Sequence, residues 1–332
     1  MTPLQIGLLG LAVLLVLLMS SIPVGFVMAL VGMVGFAVIL GDPHAAMSMA
    51  ASDLFNTFAN YSLTVIPLFV FMGQIAFHAG ISRRLFDSAH CWFGALRGGL
   101  AMATVGACTI FGAICGSGPA TAATMSAVAL PEMKRYGYSM ELGTGAVAAG
   151  GSIGMLIPPS VVFIVYGVMS EQSVGKLFMA GIVPGILIAV LFCLTILIMC
   201  KRRPELAPDV QGMPWPAKFK SLLGTGEAIV LFALVIGGLF KGIFTPTEAA
   251  AIGAAGVIVL AILRRQLTWH GFIRALLETA RTSCMVMFIV AGAVIFGHFL
   301  AVTRIPFELA AWLGALPLPR WCIVGCIIFF FL

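Results

Sequence analysis

Two stretches hold residue types that can do chemistry inside an otherwise apolar chain: Gly116-Ser117-Gly118-Pro119, and Gly150 to Ser160 with its Ser152, Gly154, Pro158 and Pro159. Each interrupts a run that reads as helix, and glycine and proline release backbone from helical hydrogen bonding. In the first, Gly116 and Gly118 permit φ angles closed to other residues, Ser117 offers a hydroxyl, and Pro119 suits the first turn of a returning helix capped by Ser117 or Gly118. The free amides and positive dipole end of that helix can hold a carboxylate. In the second, carbonyls freed by the prolines and by the end of the preceding half-helix, joined by the hydroxyl of Ser152 or Ser117, supply hard oxygen ligands for a small cation. Sodium suits such donors better than a proton, which needs a titratable group in the bilayer, and the span centres carry almost none. The plainer reading is a kinked helix pair packed through small residues.

The elements that must position these breaks follow from composition. Of 332 residues, 61% are hydrophobic and 9% charged, and the mean hydropathy is +1.13. That excludes a soluble enzyme and, with apolar runs long enough to cross hydrocarbon, requires an all-α polytopic membrane protein in a lipid bilayer. Ordinary spans read as Leu4 to Met19, Val24 to Leu40, Leu63 to Ala79, Leu177 to Cys200, Leu222 to Phe240, Ala249 to Leu263 and Cys284 to Ala301. The first break then lies at the tip of a re-entrant hairpin, 98–131, and the second inside a broken helix, 138–170. The returning arm Ala120 to Leu130 is only roughly 16 Å long as a helix. Placing the basic linker at Lys201, Arg202, Arg203, Lys218 and Lys220 in the cytoplasm puts fourteen of the 18 basic residues inside, leaving Lys176, Lys241, Arg304 and Arg320 outside. The net charge of +6 therefore speaks of orientation rather than of nucleic acid, which is not an expected ligand. The eight cysteines have no metal-ligand spacing and read as packing residues.

Other polar residues have structural readings. Thr245 and Glu248 form a capping box at a helix start. His78 and His298 read as histidines bonded to a neighbouring carbonyl, and Arg83, Arg84 and Asp87 ahead of Trp92 as an interfacial amphipathic arm. A contrasting function is an intramembrane serine hydrolase with Ser117 as nucleophile and His298 as base, which needs both groups and oxyanion donors within reach.

An internal repeat strengthens the carrier reading. Arg84 and Trp92-Phe93-Gly94-Ala95-Leu96 are matched at an offset of 220 by Arg304 and Trp312-Leu313-Gly314-Ala315-Leu316, and Phe71 to Phe77 are matched at an offset of 219 by Val290 to Phe296. The charge scheme gives the two halves opposite orientations, the mark of an inverted-repeat secondary transporter. The expected organisation is a first repeat at 1–200, a cytoplasmic linker at 201–221 and a second repeat at 222–332. The counterpart of Ser117 falls past Leu332, so the second repeat is expected to be truncated, and a non-transporting fragment is the alternative function.

Four segments carry a family resemblance: Phe111-Gly112-Ala113-Ile114-Cys115-Gly116-Ser117-Gly118-Pro119-Ala120-Thr121, Leu130-Pro131-Glu132-Met133-Lys134-Arg135-Tyr136-Gly137-Tyr138, Ile157-Pro158-Pro159-Ser160 with Tyr166-Gly167, and Gly242-Ile243-Phe244-Thr245-Pro246-Thr247-Glu248-Ala249-Ala250. In this order they resemble the DctM-like large membrane subunit of tripartite ATP-independent periplasmic (TRAP) transporters. The resemblance implies an elevator-type importer of the bacterial inner membrane, not an enzyme. It is driven by sodium (Na+) as coupling ion, and it works with a small four-helix membrane subunit and a periplasmic solute-binding protein. Implied substrates are organic anions such as C4-dicarboxylates. Carried over, Ser117, Gly118, Pro119, Thr121 and Ser160 form the solute set, and Gly116, Ser117, Ser152, Gly154 and Pro158 the sodium set. Cys115 and Gly150 stand where many relatives have serine.

Overall fold

The computed structural model describes residues 2–208, 214–315 and 320–331, and every regular element among them is helical. From the N-terminus, α1 (Pro3–Leu18) and α2 (Val24–Leu40) precede the less apolar α3 (Pro43–Phe58), which Asp42 caps by accepting the His44 amide at 2.8 Å. A 3-10 turn leads into α4 (Val65–His78), and Gly80 turns the chain into the amphipathic α5 (Ile81–Phe93). Then come the hairpin arms α6 (Gly99–Cys115) and α7 (Gly118–Arg135) and the half-helices α8 (Met140–Ile153) and α9 (Val161–Met169). α10 (Val174–Arg202), α11 (Trp215–Phe240), α12 (Pro246–Leu263), α13 (Trp269–Thr303), α14 (Ile305–Ala315) and α15 (Arg320–Phe331) complete the order.

Each of the seven apolar runs falls on a helix. The stretch Tyr61–His78 and the helices α10, α12 and α13 are long and apolar enough to cross a bilayer, while α1, α2, α6 and Thr225–Phe240 are shorter apolar helices. This is an all-α, multi-pass membrane protein.

The boundaries revise the expected spans. The returning hairpin arm does not stop at Leu130 but carries Pro131 within it and ends at Arg135. Its 18 residues give about 27 Å, so a short arm no longer argues for a re-entrant loop. The second break itself covers Gly154 to Ser160, as the glycine and proline positions lead one to expect, and α8 continues through Ser152 and Ile153. α13 starts at Trp269, not Cys284: Thr268 accepts the Gly271 amide at 3.1 Å, and the polar Arg274, Glu278 and Arg281 interrupt hydropathy without interrupting helix. Neither α3 nor α15 was anticipated. The linker narrows to the residues between Arg202 and Trp215; its centre, 209–213, lies outside the described residues, as do Leu316 of the repeated Trp312 motif and Leu332.

Two compact units divide the chain, with their boundary inside α13: Met1–Asn60 with Cys284–Leu332, and Tyr61–Ser283. In the first, α2 crosses α13 through small residues. A Cβ on Gly25 would lie 2.8 Å from the Phe288 carbonyl oxygen, and one on Gly32 2.8 Å from the Phe296 amide. Close backbone approach of this kind supplies the packing that hydrophobicity cannot supply in lipid. Val27, Val31, Phe296 and Phe299 are buried around that crossing. His298 corrects another expectation, since its Nδ1 meets the Asp53 carboxylate of α3 at 2.7 Å instead of a carbonyl. In the second unit, Ile66, Phe69 and Ile75 of α4, Phe111 of α6 and Met125 of α7 are all fully buried. There His78 faces Glu278 at 3.5 Å, again a carboxylate. The repeated motifs occupy matching elements: Phe71 to Phe77 and Val290 to Phe296 lie in α4 and α13, Trp92 and Trp312 in the short helices that follow each.

Candidate functional site

Between the hairpin arms, Gly116 ends α6 in the left-handed region at φ 63°. Ser117 is extended and caps α7, its Oγ accepting the Ala120 amide at 3.4 Å. Thr121, fully buried, donates its hydroxyl to the Ser117 carbonyl at 2.8 Å and lies 3.0 Å from the Cys115 sulfur. Pro119 supplies no N–H and Ala120 is capped, so Gly118 carries the remaining free amide of the first turn of α7. The expected row of free amides at this terminus is thus nearly spent, while its dipole remains.

The second break receives this tip. The Val161 amide, first in α9, donates to the Gly116 carbonyl at 3.3 Å. A Cβ on Gly116 would stand 2.5 Å from the Pro159 carbonyl oxygen, and one on Gly154 2.8 Å from Thr121 Oγ1. Ser160 caps α9 by accepting the Phe163 amide at 3.4 Å and donates its own hydroxyl to the Met155 carbonyl. At the end of α8, the carbonyls of Gly151, Ser152 and Ile153 accept turn bonds from the first residues of the break. Among the described residues those of Gly154, Ile157, Pro158 and Pro159 accept none. Oxygens freed by proline beside a serine hydroxyl form a neutral, hard donor set that suits a small monovalent cation. No cluster of three His, Cys, Asp or Glu side chains exists among the described residues to bind a metal otherwise.

The candidate residues sort accordingly. Gly116, Ser117, Gly118, Thr121, Gly154, Pro158 and Ser160 are brought to one junction, where Thr121 and Ser160 spend their hydroxyl protons on backbone carbonyls. Pro119 and Ser152 are exposed, and the Ser152 hydroxyl donates to the Ala149 carbonyl at 2.7 Å on α8. The tip also borders a narrow cleft lined by Gln74 of α4, Ser117, Thr124 of α7 and Thr282 of α13 together with Phe77 and Phe111. Gln74, Thr124 and Thr282 make no side-chain hydrogen bond among the described residues. Sequence reasoning passed over all three. The available signal was Gln74, the one amide in an apolar run.

A family model described as the DctM component of the tripartite ATP-independent periplasmic transporter matches residues 11–332. The chain belongs to this family. Among its relatives, a C4-dicarboxylate TRAP transporter large permease protein of Pseudomonas aeruginosa is 39% identical over 86% of the chain and 66% of the relative. An isethionate TRAP transporter permease protein of Oleidesulfovibrio alaskensis is 37% identical over 85% of the chain and 45% of its own length. A sialic acid TRAP transporter large permease protein of Vibrio cholerae is 32% identical over 89% of the chain and 68% of its own. The chain thus spans about two thirds, or less, of the first two relatives' length. DctM components are transport proteins, not enzymes, which disposes of the hydrolase reading. In this DctM-family chain His298 is held by Asp53 and Ser117 Oγ serves as a helix cap.

Proposed function

We propose that the chain acts as the large subunit of a sodium-coupled, binding-protein-dependent importer of organic anions in a bacterial inner membrane. It would work with a small four-helix membrane subunit and a periplasmic solute-binding protein, and it would carry solute by an elevator-type movement. The single observation behind this reading is the seating of the hairpin tip in the second break, where Val161 bonds to Gly116, the Pro159 carbonyl stands against Gly116, and the Pro158 and Pro159 carbonyls accept no backbone bond. Sodium would be held by those neutral oxygens; the solute would lie on the cleft side of the tip, facing Gln74, Thr124 and Thr282. An anionic solute is favoured because C4-dicarboxylates, isethionate and sialic acid, the solutes in the relatives' names, each carry a carboxylate or sulfonate.

The test is uptake of labelled succinate, isethionate and sialic acid by proteoliposomes containing the chain, the small subunit and the matching binding protein. An inward sodium gradient should drive uptake of one of them, and choline replacement should abolish it. Ser117→Ala should reduce uptake about tenfold, the equivalent of one lost charge-assisted contact, whereas Ser152→Ala should leave it within twofold. Uptake indifferent to sodium, or to Ser117→Ala, contradicts the proposal.

A further inference from the structure

α3, in the unit formed by Met1–Asn60 with Cys284–Leu332, presents a different chemistry on each of three faces. Ala46, Ala50, Asp53 and Thr57 are buried against the protein. Met47, Phe55 and Phe58 form an apolar stripe that is 63%, 73% and 50% exposed. Ser48, Ser52 and Asn56 form a polar stripe, exposed as well, in which the Asn56 amide donates to the Ser52 hydroxyl at 3.3 Å. At about 3.6 residues per turn these stripes stand roughly a third of a turn apart. A helix crossing the bilayer beside the protein meets protein and hydrocarbon but no water, and has no use for the polar stripe. One lying along the membrane surface, flush against the protein, meets all three.

The level of α3 follows from its neighbours. The apolar α2 stops at Leu40 and the next apolar stretch starts at Tyr61, so α3 joins two span ends. Arg83 and Arg84, past the far end of α4, belong to the basic residues counted inside, which puts Tyr61 and α3 at the outer face. A second residue gives the same answer. Asp53 meets His298 Nδ1 at 2.7 Å, and His298 lies shortly before Arg304, one of the four basic residues counted outside. From Asp42 to Phe58 there is no Lys or Arg, Asp42 is spent as the helix cap and Asp53 is paired. Anionic headgroups thus find no cation to grip. What α3 offers the membrane is its apolar stripe, and α2 leads into it with exposed Val38 and Leu40.

We propose that α3 anchors the chain on the lipid surface of the outer leaflet: Met47, Phe55 and Phe58 enter the boundary between headgroups and acyl chains, and the Asp53–His298 bond holds the outer end of α13 at that depth. The Asp53 side chain is only 11% exposed, and neither α1 nor α2 carries a charged residue. Losing His298 would strand a carboxylate beside apolar helices, so the bond is a firm link between α3 and α13. The anchor shares no residue with the hairpin junction, so it and the transport reading stand or fall separately.

The experiment is photolabelling of the full chain in nanodiscs with a phosphatidylcholine that carries a diazirine at the head of one acyl chain, the adducts being placed by peptide mass spectrometry. Met47, Phe55 and Phe58 should carry several-fold more adduct than Ser48, Ser52 and Asn56. Equal labelling of the two stripes overturns the proposal, as does an apolar stripe left unlabelled while exposed residues of α1 and α2 react. Exchanging phosphatidylethanolamine for phosphatidylglycerol as bulk lipid should change the yield by less than about twofold; a larger change overturns anchoring by apolar insertion. Loss of the adducts on adding the small membrane subunit overturns the lipid surface in favour of a protein partner. The link to α13 is read by hydrogen exchange in the same nanodiscs. Asp53→Ala should raise exchange of the α13 amides around His298 several-fold, and Asp53→Glu should keep most of the protection. Unchanged exchange in Asp53→Ala overturns the link. Should that variant fail to fold, the Phe55→Ser, Phe58→Ser double substitution, which leaves the bond itself intact, should raise exchange at the same α13 amides, and no rise there overturns the anchor.

Discussion

Gly116 is the residue on which the hairpin junction turns. Its left-handed φ would cost an L side chain about 1–2 kcal/mol, and a Cβ would also press on the Pro159 carbonyl at 2.5 Å. Gly116→Ala should therefore destabilise the unit by roughly 2–3 kcal/mol, measured as a lower midpoint in denaturant titration of the detergent-solubilised chain. A midpoint unchanged from the native chain would mean the tip does not seat as described. The types and order of Gly116, Ser117, Pro158 and Pro159 made this junction legible, because nothing else in an apolar run frees backbone so economically. What could not be read was the use each hydroxyl makes of its proton. Ser152 faces outward and Thr121 bonds inward through positions on helix faces that appear only once α7 and α8 are packed. Asp53 finding His298, 245 positions away, is a tertiary fact with no local signal.

At the scale of elements, hydropathy reports spans well and helices less well. α3 escaped notice because its apolar residues cover only part of its circumference, yet Asp42 followed by Pro43 is a sound helix start. The opening turns of α13 escaped for the same reason. Where a local signal was strong it was reliable. Thr245 and Glu248 cap α12 reciprocally, the Glu248 carboxylate accepting the Thr245 amide at 2.8 Å and the Thr245 hydroxyl accepting the Glu248 amide at 3.3 Å. Thr245→Val should cost about 1 kcal/mol, seen as a lowered Tm, with Thr245→Ser near neutral. On α5, which is not among the apolar helices, His90 packs beside Phe86 and Tyr136. Burial pushes its pKa below the ordinary 6.5, against the pull of Asp87 and Glu132. The folded chain thus favours the neutral ring and the unfolded chain takes up the proton first. This contribution is intact above pH about 6.5 and declines as pH falls below it. Thermal unfolding at pH 7.5 and 5.5 should show a smaller acid loss in His90→Phe than in the native chain; an equal loss would assign the pH response elsewhere.

For the whole molecule, the distribution of basic residues makes a claim about sidedness that the helix order can test. Arg202 ends α10, ahead of the linker into α11, and Lys241 follows the C-terminal end of α11. In intact cells, a membrane-impermeant maleimide should label Lys241→Cys and not Arg202→Cys, above the background of the eight native cysteines. Inverted-membrane vesicles should reverse the pattern, and the same answer for both positions would refute the assigned orientation. The bond from Val161 to Gly116 sets a further condition on how such a carrier can work. With its crown pinned between α8 and α9, the hairpin is no free flap: swinging it alone would strand an amide and a carbonyl in a dry interior. On the sodium-coupled reading proposed above, an ion lodged there would change sides only if both broken segments travelled together as a single cargo-bearing block.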